Sequence, residues 1–513
     1  MTNPLYNTLL GRRANSEAPL LHLADGKILS YADMADRVAR ISGMLREKGL
    51  QKGDRLAMQC PKSPQALALY LACLHSGVIF LPLNTAYTPD EFAYFVSDAM
   101  PKIVVTAPKD ADALRPMVEN ASATLLTLNA DETGSFADAV AIATPAADAV
   151  ACTTEDLACF LYTSGTTGRS KGAMLTQGNL LSNAQTLTRT WRFTSDDVLL
   201  HVLPIFHAHG LFVACNVLMN AGGSMIWLPG FAVDLVLEAL PRATTMMGVP
   251  TFYTRLLDSD GFTKGVAGHI RLFTSGSAPL LAETHVKFSA RTGHAILERY
   301  GMTETGMNTS NPYDAERRAG TVGFPLDGVA LRVSGENGAE VPQGETGIIE
   351  VRGPNVFIGY WQMPEKTAEE LREDGFFITG DMGRIDEDGY VTIVGREKDL
   401  IISGGYNIYP KEVEQLLDEE PSVKESAVIG VPHADFGEGV VAVLVPEGSA
   451  IPDIEAIKAN VIARLANFKR PKEYIVVTEL PRNTMGKVQK NILRSEYGEI
   501  FTKCHQAIKH AGE

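Results

Sequence analysis

Cysteine is scarce and unpatterned in this chain. The six cysteines among its 513 residues stand at 60, 73, 152, 159, 215 and 504 with no C-x-x-C pair, and several lie in apolar runs such as Leu71 to Cys73. They read as reduced core thiols, not as a disulfide framework. Long unbroken hydrophobic runs are missing as well. The most apolar window, ALALYLACLHSGVIFLPL from Ala66, is broken by His75, Ser76 and Gly77, so it splits into a helix and a strand and does not read as a membrane span. The opening residues MTNPLYNTLLGRRANSEAP lack a basic start followed by an apolar run. No secretory signal is expected, and a cytoplasmic location without a membrane partner fits. Positive charge is also in deficit. With 46 Lys and Arg against 61 Asp and Glu, the net charge is −15. That argues against general nucleic-acid binding, although a local basic patch can still hold a phosphorylated small molecule.

What is present is ordinary for a globular protein: 45% hydrophobic and 21% charged residues, in a chain too long for one core. Two or more domains are expected. Ser30 opens S-x-x-D, and Met34, Val38, Ile41 and Leu45 follow at helical spacing up to Gly49, which predicts a capped amphipathic helix. DRLAMQC (54–60), GVIFLPL (77–83), KIVVTA (102–107) and TLLTL (124–128) read as strands alternating with helical runs, hence an α/β layered architecture. Residues 146–154 form a weakly patterned link. Beyond it, VLLHVLPIFHAHG (198–210), SMIWLP (224–229), TTMMGVP (244–250) and IRLFTSGSAP (270–279) are strands running into turns, and such ends are expected to converge on one site. His207 and His209 stand at i, i+2, but no third metal ligand lies near them in sequence. From 398 on, a small α/β unit is expected: LIIS, the helix KEVEQLLDEE, two strands, a helix on Ile454, Ile457, Val461 and Leu465, and YIVVTEL.

One stretch organises the rest. TSGTTGRSKG (163–172) follows the short apolar run LACFLY, with a helix expected after it, and packs three glycines, five hydroxyl residues and two cations into ten positions. Backbone N–H groups, hydroxyls and Arg169 or Lys171 can all face phosphate oxygens, which suits a triphosphate. It is not a Walker A loop, because Ser170 lies five places after Gly165 and Lys171 precedes Gly172. Four further motifs follow: ERYGMTET (298–305), TGD (379–381), GREKDLIISGGYNIYP (395–410) and PRNTMGK (481–487). In the first, Tyr300 offers a stacking face, Thr303 a hydroxyl and Glu304 a hard oxygen ligand. Taken alone, each has a plainer reading: a solvent loop, a capped strand end, a turn-forming Asp, a solvated lysine.

In this order the five motifs resemble the acyl-adenylate-forming superfamily of acyl-CoA synthetases, luciferases and peptide-synthetase adenylation domains. The resemblance implies a large multi-layer N-terminal domain, 1–397, and a small mobile α+β C-terminal domain, 398–513, hinged at Lys398. It implies ATP contacts from Thr163, Ser164, Gly165, Thr166, Thr167, Gly168 and Lys171, from Gly276, Ser277 and Ala278 beside adenine, and from Glu298, Arg299, Tyr300 and Thr303. Asp381 would take the ribose, Arg396 ribose or phosphate, and Glu304 the magnesium ion. His207, Ser277 and Met302 would line the acid pocket, with His207 seating the carboxylate, and Lys487 would neutralise charge as the carboxylate attacks the α-phosphorus. Swinging about Lys398 would then bring Ser403, Gly404, Gly405 and Tyr406 to a pantetheine tunnel, with Lys469 and Arg470 near coenzyme A phosphates or on an ordinary solvated face. The implied products are acyl-CoA, AMP and pyrophosphate.

The runs MMGVPTFYTRL, SGSAPL and RYGMTETGMNTS resemble malonyl-CoA synthetases in particular, which implies a malonate or methylmalonate pocket in which Arg255 binds the distal carboxylate beside Ser277 and His207. Arg291, Arg299 and Arg318 are the alternative holders. A short- or medium-chain acyl-CoA synthetase and a non-catalytic ATP-binding regulator are the other readings, the second disfavoured because Glu304 and Lys487 are both present. Related synthetases are controlled by lysine acylation, which makes Lys487 a target for an acetyltransferase and deacetylase.

Overall fold

The computed structural model describes residues 3–163, 170–335, 338–403, 406–433, 436–448, 451–483 and 486–501. The centre of the glycine-rich loop, 164–169, and Gly404 and Gly405 lie outside that set.

The expected helix spans Tyr31–Glu47. Ser30 Oγ accepts from the Asp33 N–H, while Asp33 returns a bond to the Ser30 N–H, so two orphan donors of the first turn are satisfied reciprocally. Its buried face is Met34, Val38, Ile41 and Leu45. The window at Ala66 becomes the helix Pro64–Ser76, ended by left-handed Gly77, and the strand Ile79–Pro82. Among the described residues no helix is long and apolar enough to cross a membrane. The five described cysteines are all buried and unpaired.

Two sheets form the layers of the large domain. One has six strands in the order Thr124–Thr127, Ile103–Thr106, Arg55–Gln59, Ile79–Pro82, Leu157–Thr163 and Lys171–Thr176. The other has nine, with Leu297–Met302, Leu272–Ser275, Thr245–Gly248, Val198–His201, Ser224–Trp227 and Pro19–Leu23 running parallel through its middle. A third, antiparallel sheet carries Ala330–Ser334, Gly347–Arg352, Phe377–Ile385 and Val391–Arg396.

One expectation fails here. No helix directly follows the glycine-rich loop. Lys171–Thr176 returns as a strand paired antiparallel with Leu157–Thr163, Thr163 opposite Lys171, and the helix Gln177–Thr190 starts only after a Thr176 capping box. The two strands that flank the loop therefore pair as the arms of a hairpin. Gly172 permits it, since a Cβ there would sit 3.3 Å from the Tyr162 ring and 3.4 Å from Trp361.

After Arg396 a single turn, Glu397–Asp399, leads into a separate sheet made of Ile401–Ser403, Tyr406–Ile408, Val423–His433, Gly437–Pro446 and Glu473–Val476. The helices Pro410–Asp418 and Ile454–Arg464 cover one face through Val413, Leu417, Ile457 and Val461. Leu493 of Lys490–Tyr497, a helix that the sequence pattern had not disclosed, covers the other. The protein is thus α/β, with a large N-terminal and a small C-terminal domain.

Candidate active site

Four parallel strands of the nine-stranded sheet deliver side chains at their carboxyl ends, the usual place for a site in such sheets. Val198–His201 leads to His207 and His209, Thr245–Gly248 to Thr251 and Tyr253, Leu272–Ser275 to Gly276 and Ser277, and Leu297–Met302 to Thr303 and Glu304.

Arg299 lies at the bottom of this group. Only 4% of it is exposed, and its Nε and Nη2 have no hydrogen-bond partner. It packs against Gly276, where a Cβ would come 2.1 Å from Nη1, so any larger residue there would displace the guanidinium. Burial lowers the Arg299 pKa to about 10, which still leaves it a cation at neutral pH. Ser277 adopts a left-handed backbone with φ of 70°, strain of a kind found at functional sites, and its Oγ lies 3.2 Å from His209 Nδ1. His209 Nε2 is buried and unpartnered too. His207 Nδ1 accepts the His209 N–H at 3.3 Å, which leaves its Nε2 as the N–H nitrogen. Burial, then the charges of Arg299 and Lys487, pull the His207 pKa down to about 4, so it is a neutral donor at physiological pH. Arg299 and His209 thus each leave a buried side-chain nitrogen without a partner, and the guanidinium charge acts on the imidazole. They call for an anion.

Beside this pocket, Glu304 is buried and accepts from Tyr360 Oη at 3.2 Å and Thr163 Oγ1 at 3.4 Å, with no Lys or Arg among those partners. Burial raises its pKa above the usual carboxylate range. The Tyr360 hydroxyl also reaches Glu370 at 2.6 Å, and Glu370 holds Lys171 Nζ at 2.9 Å, so the return strand of the hairpin is tied to Glu304 through one hydroxyl. Thr303 borders a small cavity with Asn179, Phe212 and Asn355.

Asp381 and Arg396 face each other across the antiparallel sheet, Arg396 Nε 2.6 Å from Asp381 Oδ1. Tyr300 Oη donates to the other oxygen of Asp381 at 2.5 Å. Lys487 comes from the small domain. Position 486 lies against Thr251 of the large domain, with a Cβ there 3.0 Å from Oγ1. The Lys487 side chain keeps solvent access, yet surrounding protein and the cations Arg396 and Lys398 push its pKa down to about 8, opposed by Asp381 and Asp399.

Several expected residues lie elsewhere. Arg255 is exposed in the last turn of Pro250–Leu257, because Tyr253 and Leu256 take the buried face of that helix. Arg291 donates to the carbonyls of Ser259 and Phe262, and Arg318 is paired with Glu316, Asp386 and Asp388. Glu298 turns away from Arg299, as strand alternation requires, and is held by His285 Nδ1 at 3.3 Å and the Gly320 N–H at 3.1 Å. Lys469 is paired with Glu412, and Arg470 donates to the Leu465 and Ile462 carbonyls, so both are engaged within the small domain. Ser403 is buried and Tyr406 is 57% exposed, stacked on Phe468. Met302 is half-buried at its strand end, Ala278 is half-buried beside Ser277, and Lys398 occupies the turn between the domains. The expected contacts of Ser164, Gly165, Thr166, Thr167, Gly168, Gly404 and Gly405 lie outside the described residues. Sequence reasoning missed Tyr360, Glu370 and the polar role of His209; the H-A-H-G spacing was the one available signal.

Comparison with known proteins identifies the family. The family model described as AMP-binding enzyme matches residues 11–361, and that of the AMP-binding enzyme C-terminal domain matches 412–487. A feruloyl-CoA synthase of an Amycolatopsis species is 36% identical over 477 residues, 92% of this chain and 95% of its own. A malonate–CoA ligase of Arabidopsis thaliana is 33% identical over 552 residues, 96% of this chain and 88% of its own. The crystal structure of ATP-bound MatB from Rhodopseudomonas palustris is 56% identical, covers 98% of this chain and 100% of its own, and superposes with a TM-score of 0.95, against 0.84 for the apo form of that protein. With both family models matched along the chain, it belongs to the AMP-binding enzyme family, the acyl-adenylate-forming enzymes.

Proposed function

We propose that this enzyme is an ATP-dependent malonate–CoA ligase that forms malonyl-AMP and pyrophosphate, then malonyl-CoA and AMP. The observation that carries the substrate is Arg299. Burying a guanidinium without a counter-ion costs several kcal/mol, a cost a pocket for fatty or aryl acids has no reason to bear. A dicarboxylate supplies the missing anion. Its distal carboxylate lies on Arg299, with His209 and Ser277 beside it. Its reacting carboxylate takes the Nε2–H of neutral His207. The malonate–CoA ligase and MatB similarities support the same reading.

Attack of one anion on another needs alignment and charge neutralisation. Lys487 supplies a compact positive charge between the carboxylate and the α-phosphate. Asp381 and Tyr300 receive the ribose, and Lys171 leaves Glu370 for phosphate. Glu304, a buried carboxylate that accepts from two hydroxyls and has no Lys or Arg hydrogen-bond partner among the described residues, would hold a magnesium ion, which would spread the triphosphate charge. For thiolysis the small domain turns about Lys398, withdrawing Lys487 and bringing the segment from Ser403 to Tyr406 to the acyl group.

The test is CoA-dependent AMP formation with malonate, methylmalonate, acetate, butyrate and benzoate, by the wild type and Arg299→Met. Malonate preference that disappears in the variant supports the reading. Preference for a monocarboxylate in the wild type overturns it and leaves adenylation standing.

A further inference from the structure

Lys62 makes none of the contacts above. It leaves the end of Arg55–Gln59 in the six-stranded sheet and reaches across to the nine-stranded one, where its Nζ lies 2.8 Å from His201 Nδ1, 2.9 Å from the His201 carbonyl and 4.3 Å from the centre of the Trp227 ring. None of these partners is a carboxylate. An ammonium only donates, so His201 Nδ1 accepts and the ring proton sits on Nε2. That proton is directed at the Gly210 carbonyl, 2.9 Å away. Burial and the Lys62 charge both hold the His201 pKa well below its usual value, which keeps this tautomer neutral.

Gly210 is a tight point in the chain. A Cβ at this position would come 2.0 Å from the Pro204 carbonyl oxygen, so the turn from Pro204 closes on glycine as the irregular His209–Cys215 helix begins. His207 and His209 stand just before it. The relay Lys62–His201–Gly210 therefore fixes from behind the segment that presents both imidazoles to the acid. We propose that Lys62 is a positioning residue for the acid pocket, acting through His201 and the Gly210 carbonyl to hold His207 and His209 in place. It rests on reading this pocket as the acid site. Desolvation lowers the Lys62 pKa to about 7, so the enclosure of this cation is itself unfavourable to its charge.

The test uses the full-length enzyme with the acid that the wild type prefers. Lys62→Met keeps the aliphatic stem against Trp227 and removes the donors, while Lys62→Arg keeps a charged donor. We expect Lys62→Met to raise the KM for the acid about tenfold with the KM for ATP within about twofold, and Lys62→Arg to recover most of that loss. A folded Lys62→Met with unchanged acid KM, equal rises in both KM values, or no recovery by Lys62→Arg would each overturn the proposal. His201→Asn breaks the same relay and carries the same expectation should Lys62→Met fail to fold; failure of both to fold marks a purely structural role and also overturns it. If the wild type prefers a monocarboxylate, the malonate reading falls, and the KM split measured with that acid still decides the role of Lys62.

Discussion

Arg299 and Arg255 look alike in sequence, each an arginine among small, aromatic and hydroxyl residues. What separates them is which way the chain faces. Arg255 follows a buried Tyr253 on a helix and points to solvent, whereas Arg299 stands on a strand whose two faces are both covered. Sidedness of that sort depends on neighbours far away in the chain, so no local pattern discloses it. Replacing a buried unpaired cation by a similar apolar side chain should stabilise the fold while removing the substrate's partner. Arg299→Met is expected to raise the thermal midpoint and to lower kcat/KM for malonate about 100-fold or more, measured side by side by calorimetry and AMP release. Lys487 gives a pH prediction. In the proposed mechanism its ammonium form is the active one, and burial lowers its pKa to about 8, so kcat/KM for pyrophosphate release is expected to fall as pH rises through that value. In Lys487→Gln the alkaline limb disappears along with about 100-fold or more of the rate. An acetylated Lys487 is expected to behave like the glutamine variant; normal pyrophosphate release by acetylated enzyme would refute control at this position.

Between elements, Glu304 at the end of Leu297–Met302 and the helix Pro364–Glu370 are joined by the Tyr360 hydroxyl, which touches Glu304 and Glu370 at once. Tyr360→Phe keeps the ring under Lys171 and deletes only that link. It is expected to raise the KM for magnesium–ATP about tenfold and to leave the KM for malonate unchanged, in initial-rate kinetics at varied magnesium. The elements that were legible in sequence are those that carry their own signals. Tyr31–Glu47 has a capping box and a clean apolar stripe, and the strands that become Arg55–Gln59 and Leu272–Ser275 are short apolar runs ended by turns. Lys171–Thr176 was misread because its strand character comes from pairing with Leu157–Thr163 and not from its own composition. Lys490–Tyr497 escaped notice for a related reason: Leu493 is its buried anchor, too little for a periodic pattern. The site's motifs stood out as sequence. Their mutual geometry, such as the Asp381–Tyr300 bond between separate sheets, did not.

At the scale of the molecule, the turn Glu397–Asp399 is the covalent bridge between the sheet bearing Asp381 and the sheet of the small domain. Proline at position 398 restricts the φ on which a swing depends. Lys398→Pro is expected to keep pyrophosphate–ATP exchange within about threefold of wild type and to lose thioester formation about 100-fold or more, each half-reaction being assayed separately. The buried thiols carry a consequence of their own. Cys60 and Cys215 are pushed up to about 12 by burial, and Cys152 and Cys159 are raised as well. A nucleophilic thiolate is thereby suppressed at each of these positions. The proposed co-substrate is itself a thiol that air converts to a disulfide, and these sulfurs are closed to exchange with it, so oxidised coenzyme A finds none of them to cap.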